Sequence, residues 1–441
     1  MTRAVVLGGG FAGVLAANVL ARHTGDVVLI EGARYPQRPG PRSGLPQAFH
    51  SHLLVTAGAR ALDTLLPGVV DMLLAGGAHR RGLPGDSLIR SAEGWFRRYD
   101  TGAYLISCSR WLTDWVVRRR ALAGRAVRVC QGTQVIGLTG DPARVSGVVV
   151  RDAGGGVTTL PADLVVDATG RRSRAGHWLA GLGAAGVDEV SIDPHLAYAT
   201  RMYRAPGDAD PATPAVMIHP DPAAALPTGG TLFPIEDGRW MVTLVGPRPP
   251  RDPAGFTARA YGLSSPVIAE LIARAEPVGD LRPFRGTVNR RRFYERGPRP
   301  DGLVVLGDAL MAVNPVYSHG MSVAAMSALR LAAELDRHGT DAAVAPLLQT
   351  AMAQESERSW QLATGPGGPG TTGGAGPARE LIARATLTSP RLMTDLFRAQ
   401  TLLAPAAHRP PAGGGPPLSA GEAIAQFPEL AASVTGERTF R

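Results

Sequence analysis

Residues 3–31 constrain this chain more than any other stretch. An apolar run at 4–7 leads into Gly8-Gly9-Gly10-Phe11-Ala12-Gly13, a helical pattern continues to about residue 22, and a second apolar run at 27–30 closes on Glu31. Strand, glycine turn, helix and strand in that order predict a βαβ unit carrying the G-x-G-x-x-G spacing of a dinucleotide fold. Gly8 permits the tight turn, Gly10 lets a pyrophosphate approach the backbone at the positive end of the helix, and Gly13 allows helix and strand to pack closely. Glu31 is placed to accept hydrogen bonds from a ribose diol, and its charge repels a 2′-phosphate. The unit therefore selects FAD or NAD over NADP and leaves the choice between those two open. A second match to the spacing, Gly181-Leu182-Gly183-Ala184-Ala185-Gly186, follows a helix end instead of a strand and reads as a C-cap and loop.

The partner of this unit comes late, in the stretch 302–325, GLVVLGDALMAVNPVYSHGMSVAA. An apolar strand ends at Gly307-Asp308, and a loop runs from there to Gly320 at the start of a helix. One carboxylate at a strand end, followed by a glycine at a helix N-terminus, suits a polyhydroxyl chain joined to an electron-rich ring. A third strand end, Asp167-Ala168-Thr169-Gly170, has the same form.

Between these segments the pattern changes. Residues 126–167 read as a β-meander ending in an apolar strand. From 187 to 296 longer strands are expected at 196–203, 231–235 and 239–245, the last two joined as a hairpin through Asp237-Gly238. The predicted fold class is α/β (α+β): a Rossmann-type dinucleotide domain from 1–60, 105–185 and 286–340, an inserted mixed β-sheet substrate domain from 61–104 and 186–285, and a C-terminal helical region at 341–441. The Ala-rich helices after residue 320 most simply cover the sheet, and their polar faces are not basic enough for a membrane surface. Gly365 to Pro377 and Pro405 to Pro417 have the composition of mobile linkers.

Composition removes several classes. The formal charge of +9 suggests nucleic acid, but all 46 basic residues are arginine, which points to codon bias, and no nucleic-acid motif accompanies the arginine runs. Cys108 and Cys130 make neither a disulfide framework nor a C-x-x-C pair, so a reducing, cytoplasmic setting is expected. The uncharged stretch 4–21 is better explained by the βαβ unit than by a transmembrane segment. His50 and His52 lack further ligands for a metal and read as polar loop contacts. Ser109 starts an amphipathic helix whose first turn carries Arg110, a residue that reads either as a surface charge or as a phosphate contact.

Taken together, Gly8-x-Gly10-x-x-Gly13 with Glu31, the Arg110 helix, and Gly307-Asp308 followed by Pro315 and Gly320-Met321 resemble the single-component (group A) FAD monooxygenases, the aromatic hydroxylase and squalene epoxidase group, over roughly residues 1–340. A closer likeness is to bacterial epoxidases of polyether-antibiotic precursors of the monensin and lasalocid kind. It is carried by Gly44-Leu45-Pro46-Gln47 with His50 and His52, Cys108-Ser109-Arg110, the Asp163 to Gly170 segment, Tyr198-Ala199-Thr200-Arg201, Ile235 to Trp240, and Asn314 to Ser322.

This resemblance implies FAD as cofactor, NAD(P)H as reductant and O2 as co-substrate. It puts Phe11, Ala12, Glu31, Arg42, Arg110 and Val135 in contact with FAD, Asp308 on its ribitol and pyrophosphate, and Pro315, Gly320 and Met321 beside the isoalloxazine. Two departures stand out: Thr169-Gly170 where the hydroxylases have Asp-Gly, and Ser318-His319 before the flavin-facing Gly320, which places Tyr317 and His319 as ring-side candidates.

The implied chemistry is oxygen transfer from a flavin C4a-hydroperoxide, with no protein nucleophile. The implied substrate is a hydrophobic linear polyene of polyketide origin, epoxidised in antibiotic biosynthesis, with a flavin reductase or carrier protein as further partners. Trp95, Tyr198, Met202, Phe233 and Trp240 are candidate pocket residues by their apolar character. Aromatic hydroxylation is the alternative, and a non-catalytic lipid or polyketide carrier is the alternative of another class. A dithiol reductase lacks its C-x-x-C here, a flavin halogenase its lysine, and a hydrolase its G-x-S-x-G.

Overall fold

The structure, a computed structural model, describes residues 2–124, 126–221, 224–365, 377–404 and 415–430, so most of both expected linkers lies outside the described residues. Its centre is a five-stranded parallel sheet. Strand β1 (Arg3–Leu7) feeds helix α1 (Phe11–Leu20) and strand β2 (Asp26–Glu31), and β3 (Val127–Gln131), β4 (Leu164–Asp167) and β5 (Leu303–Val305) complete it in the order β5-β4-β1-β2-β3. The inner strands β1, β2, β4 and β5 are buried runs of Val, Leu and Ile, as expected where helices cover both faces, while the edge strand β3 is partly exposed. Helix α2 (Arg110–Ala121), capped by the Ser109 side chain, packs on α1. Helices α3 (Gly320–His338) and α4 (Ala345–Thr364) pack on each other, with α3 also against α1 and α4 against β5.

The residues expected as one meander divide between two sheets. β3 joins the parallel sheet through β2, while Gln134–Gly140, Val145–Arg151 and Val157–Pro161 form a separate antiparallel sheet. The second G-x-G-x-x-G is a helix end, Ala175–Gly181, followed by a turn.

A six-stranded mixed sheet stands beside the parallel one, ordered Glu276–Phe284, Ala197–Arg204, Arg239–Gly246, Gly229–Ile235, Ala215–Ile218, Ser87–Arg90. Its hairpin turns through Asp237 and Gly238, which have φ of 62° and 61°. Directly paired residues share a face of a sheet. Tyr198, Thr200 and Met202 therefore stand with Val245, Thr243 and Met241, and Met241 with Phe233, on the face turned toward the dinucleotide sheet. Tyr203 pairs with Trp240 on the opposite face, where Trp95, Leu232 and Phe256 complete a core under helices Pro253–Tyr261 and Val267–Ala273.

Helices Pro377–Thr388 and α5 (Pro390–Gln400) close over the inner side. Leu387, Met393 and Phe397 pack there with Leu53, Phe96, Leu105 and Phe233, and the Phe96 and Phe397 rings meet edge to face at 5.1 Å. No described helix is long and apolar enough to cross a membrane.

Candidate active site

The site begins at the turn between β1 and α1. Gly8 has φ +90°, and a Cβ there would lie 2.8 Å from the Ala168 carbonyl oxygen on β4's outgoing turn. At Gly13 a Cβ would fall 1.8 Å from the Gly8 carbonyl oxygen, so α1 sits on its own turn only because that side chain is missing. Gly10 is open by contrast, with the nearest atom to a Cβ being Arg42 Nη2 at 3.8 Å. The backbone at Gly10 is thus free to meet a ligand at the α1 N-terminus.

Glu31 is held from the protein side. Its Oε2 accepts the Gly9 N–H at 2.8 Å and its Oε1 the Ala33 N–H at 2.7 Å, while Arg42 Nη1 lies 3.3 Å from Oε2. Tyr35 Oη–H donates to the Gly9 carbonyl at 2.9 Å. Burial, with Glu31 adding, pushes the Tyr35 phenol well above its ordinary range and keeps it a donor. Gly9, Gly10, Phe11, Tyr35, Arg42, Asp114 and Arg118 line a shallow open cleft. Arg42 Nε is buried there without a partner among the described residues. Arg110, read from sequence as a surface charge or a phosphate contact, is 8% exposed, paired with Asp114 at 2.7 Å and set 5.9 Å over the Phe11 ring. Val135 lies on the strand that follows β3.

The second half of the site docks directly on the first. A Cβ on Gly307 would lie 3.0 Å from Ala12 Cβ, so the Gly307-Asp308 turn rests on the opening turn of α1. Asp308 Oδ1 lies 3.6 Å from the Cβ position of Gly320, where α3 begins, and its Oδ2 lies 3.6 Å from Arg171 Nε. Arg171 also donates to the Val313 carbonyl at 2.6 Å and the Val288 carbonyl at 2.8 Å, fixing the loop that follows. Asp167 is fully buried and its carboxylate accepts from Thr169 N–H at 2.8 Å, Thr169 Oγ1 at 2.6 Å and Ser173 Oγ. Burial raises its pKa, and the three hydrogen bonds oppose that rise. Thr169 therefore serves here to close the β4 turn.

Along the loop, Pro315 opens a single 3-10 turn and Met321 is buried in α3's first turn. Tyr317 Oη donates to the Ala363 carbonyl at 3.3 Å. His319 is not directed as a ring-side group: Nδ1 lies 3.0 Å from Ser359 Oγ on α4 and Nε2 2.9 Å from the Gln400 carbonyl at the end of α5. Helices that sequence periodicity could not position have captured both of its nitrogens.

Of the five pocket candidates, Trp240 is turned by strand register to the outer core, and Trp95 packs in the same cluster. Tyr198, Met202 and Phe233 share the inner face. Tyr198 Oη–H donates to Asn314 Oδ1 and accepts the Val316 N–H at 3.1 Å, so this strand is tied to the loop.

A polar chain missed in the sequence crosses the same face. His50 Nδ1 lies 2.8 Å from Thr200 Oγ1, Thr200 Oγ1 2.8 Å from Thr243 Oγ1, and Thr243 Oγ1 3.0 Å from Ser51 Oγ. Burial pushes the His50 pKa down to about 4, so the ring is neutral at pH 7. The signal available was the period-2 spacing of Thr200 and Thr243 with the inner-face residues. Among the described residues no group of His, Cys, Asp and Glu is arranged to hold a metal.

Comparison with known proteins agrees with this geometry. Residues 1–365 match the family model described as an FAD binding domain. Protein Rv3254 of Mycobacterium tuberculosis is 30% identical over 382 residues, covering 81% of this chain and 78% of its own. Kynurenine 3-monooxygenase of Salinispora tropica is 29% identical over 346 residues, covering 73% and 70%. The flavin-dependent brominase Bmp2 superposes with a TM-score of 0.66 at 18% identity over 91% of this chain and 93% of its own, a likeness of fold alone.

Proposed function

The chain belongs to the FAD-binding-domain family of flavin-dependent monooxygenases, and from that premise we propose that it epoxidises carbon–carbon double bonds of a hydrophobic linear polyene of polyketide origin. The residues present fit FAD. Gly10 leaves the α1 N-terminus open to a pyrophosphate, Arg42 carries a buried N–H with no partner among the described residues, and Asp308 stands at the head of α3. Glu31 and Arg42 would hold the adenosine half, and Asp308 with the first turn of α3 the flavin half. When bound, FAD takes hydride from NAD(P)H, activates O2 and supplies one oxygen atom to the substrate.

The protein's own part is to position and to keep water out. The observation that supports an extended apolar substrate is the in-register row Met202–Met241–Phe233, which lies on the same inner face as Tyr198. Electrophilic transfer to an alkene needs no general base, and that row offers none. Residues 61–104 and 186–285 would serve as the substrate-binding part, in the setting of polyether-type natural product synthesis.

Hydroxylation of an aromatic polyketide is the second reading. The His50–Thr200–Thr243–Ser51 chain favours it, because a neutral imidazole joined to hydroxyls can accept a phenolic proton. Incubation with FAD, NADH or NADPH, O2 and either a linear polyene or a phenolic polyketide separates the two. Epoxide masses, 16 Da per oxygen atom gained, support the first reading. Hydroxylation of the phenol with the polyene untouched replaces it with the second.

A further inference from the structure

The loop between β5 and α3 leaves one buried donor unused. Asn314 is 1% exposed. Its backbone N–H donates to Asn289 Oδ1 at 2.6 Å, and its own Oδ1 accepts from Tyr198 Oη–H and from the Val316 N–H at 3.0 Å. Its Nδ2 has no partner among the described residues. The amide cannot be turned over to cure this: a flip would aim NH2 at the Val316 N–H, which can only donate. The orientation is therefore fixed, and a buried donor left without an acceptor is unfavourable.

Its surroundings indicate which acceptor it awaits. The carbonyl of the preceding residue, Val313, is gripped by the guanidinium that also faces Asp308, and the loop ends at Gly320 beside the same carboxylate. Asn314 thus belongs to the flavin half of the cofactor site, and an uncharged amide N–H suits an uncharged carbonyl better than a phosphate. We propose that Asn314 Nδ2 donates a hydrogen bond to a carbonyl oxygen of the FAD isoalloxazine ring, and that Tyr198 is the positioning residue that holds the amide in this orientation. Tyr198 stands on the inner face of the mixed sheet, next to Thr200 and Met202. Contacts made by substrate along that strand are then coupled to a donor on the cofactor ring.

The test needs FAD alone, without substrate, so its outcome is independent of whether the protein epoxidises or hydroxylates. Asn314→Asp keeps an acceptor for Tyr198 and Val316, removes the donor and adds a charge, and Asn314→Leu removes donor and acceptor without a charge. Titration of the apoproteins with FAD is expected to give a dissociation constant roughly 3–10-fold higher in both variants, the loss of one net hydrogen bond. The visible absorption band of the bound flavin shifts with it. Loss in both variants excludes the charge of Asp as the cause. Tyr198→Phe is expected to move both readouts in the same direction by less, since the Val316 N–H still holds the amide. Unchanged FAD affinity and spectrum in Asn314→Asp overturn the proposal. If Asn314→Leu fails to fold, Asn314→Ala takes its place as the uncharged control.

Discussion

Acidification should loosen the C-terminal helices through His319. A carbonyl can only accept, so Nε2 carries the proton given to Gln400 and Nδ1 accepts from the Ser359 hydroxyl; the ring is neutral. Burial lowers its pKa from 6.5 to about 4; the Gln400 carbonyl opposes that shift and the Arg358 guanidinium adds to it. Above pH 6.5 neither folded nor unfolded chain binds a proton here, and the stability of the neutral contact is fully present. As pH falls from 6.5 toward 4, the unfolded chain takes up the proton first, so stability falls with it. At about 1.4 kcal/mol for each pK unit, the loss is about 2 kcal/mol at pH 5 and levels off near 3 kcal/mol below pH 4. His319→Gln keeps one donor and one acceptor but does not titrate. Urea unfolding at pH 7 and pH 5 should show wild type losing about 2 kcal/mol more than this variant across the interval, with the other buried histidines cancelling in the comparison. Equal losses in the two proteins would refute the assignment.

Three further outcomes follow from contacts already described. Gly13→Ala places a Cβ 1.8 Å from a backbone oxygen that has no room to move, so the variant should fail to bind FAD, read as a colourless purified protein or as loss of soluble expression. Asp308→Ala removes the carboxylate at the head of α3 and should raise the FAD dissociation constant by about 10–100-fold, the scale of a hydrogen bond to a charged group, measured by flavin fluorescence titration; full occupancy would remove Asp308 from the site. Thr200→Val interrupts the polar chain between His50 and Thr243 and should lower phenol hydroxylation, if that is the activity, while leaving turnover of a polyene at wild-type level.

The dinucleotide half of the site was legible because its requirements are local. A turn with positive φ, a helix that must approach its own turn, and a carboxylate at the next strand end are all demands on residues within one short segment, and Gly8, Gly13 and Glu31 meet them in order. The inner and outer faces of the mixed sheet were not legible in the same way. Trp240 and Met241 are equally apolar in sequence, and only pairing with Tyr203 and Met202 decides which of them meets the site. A slip of one residue would exchange them. Whether His319 reaches the ring or points away was open in the sequence for a longer-range reason, since its partners Ser359 and Gln400 come from helices whose docking no local pattern encodes.

That last contact changes how the C-terminal helices should be regarded. Among the contacts that fix the loop from Val313 to His319, three come from different parts of the fold: Arg171 from the turn after β4, Tyr198 from the mixed sheet, and Ser359 and Gln400 from α4 and α5. The first hold belongs to the nucleotide-binding sheet and the second to the sheet that would carry substrate. The third comes from helices that also place Met393 and Phe397 against Phe233 on that sheet's inner face. A residue at the end of α5 therefore touches the cofactor loop, while the middle of the same helix touches the surface on which substrate would lie. A rigid-body displacement of α5 would therefore strain the Gln400–His319 contact together with the packing of Met393 and Phe397 on Phe233.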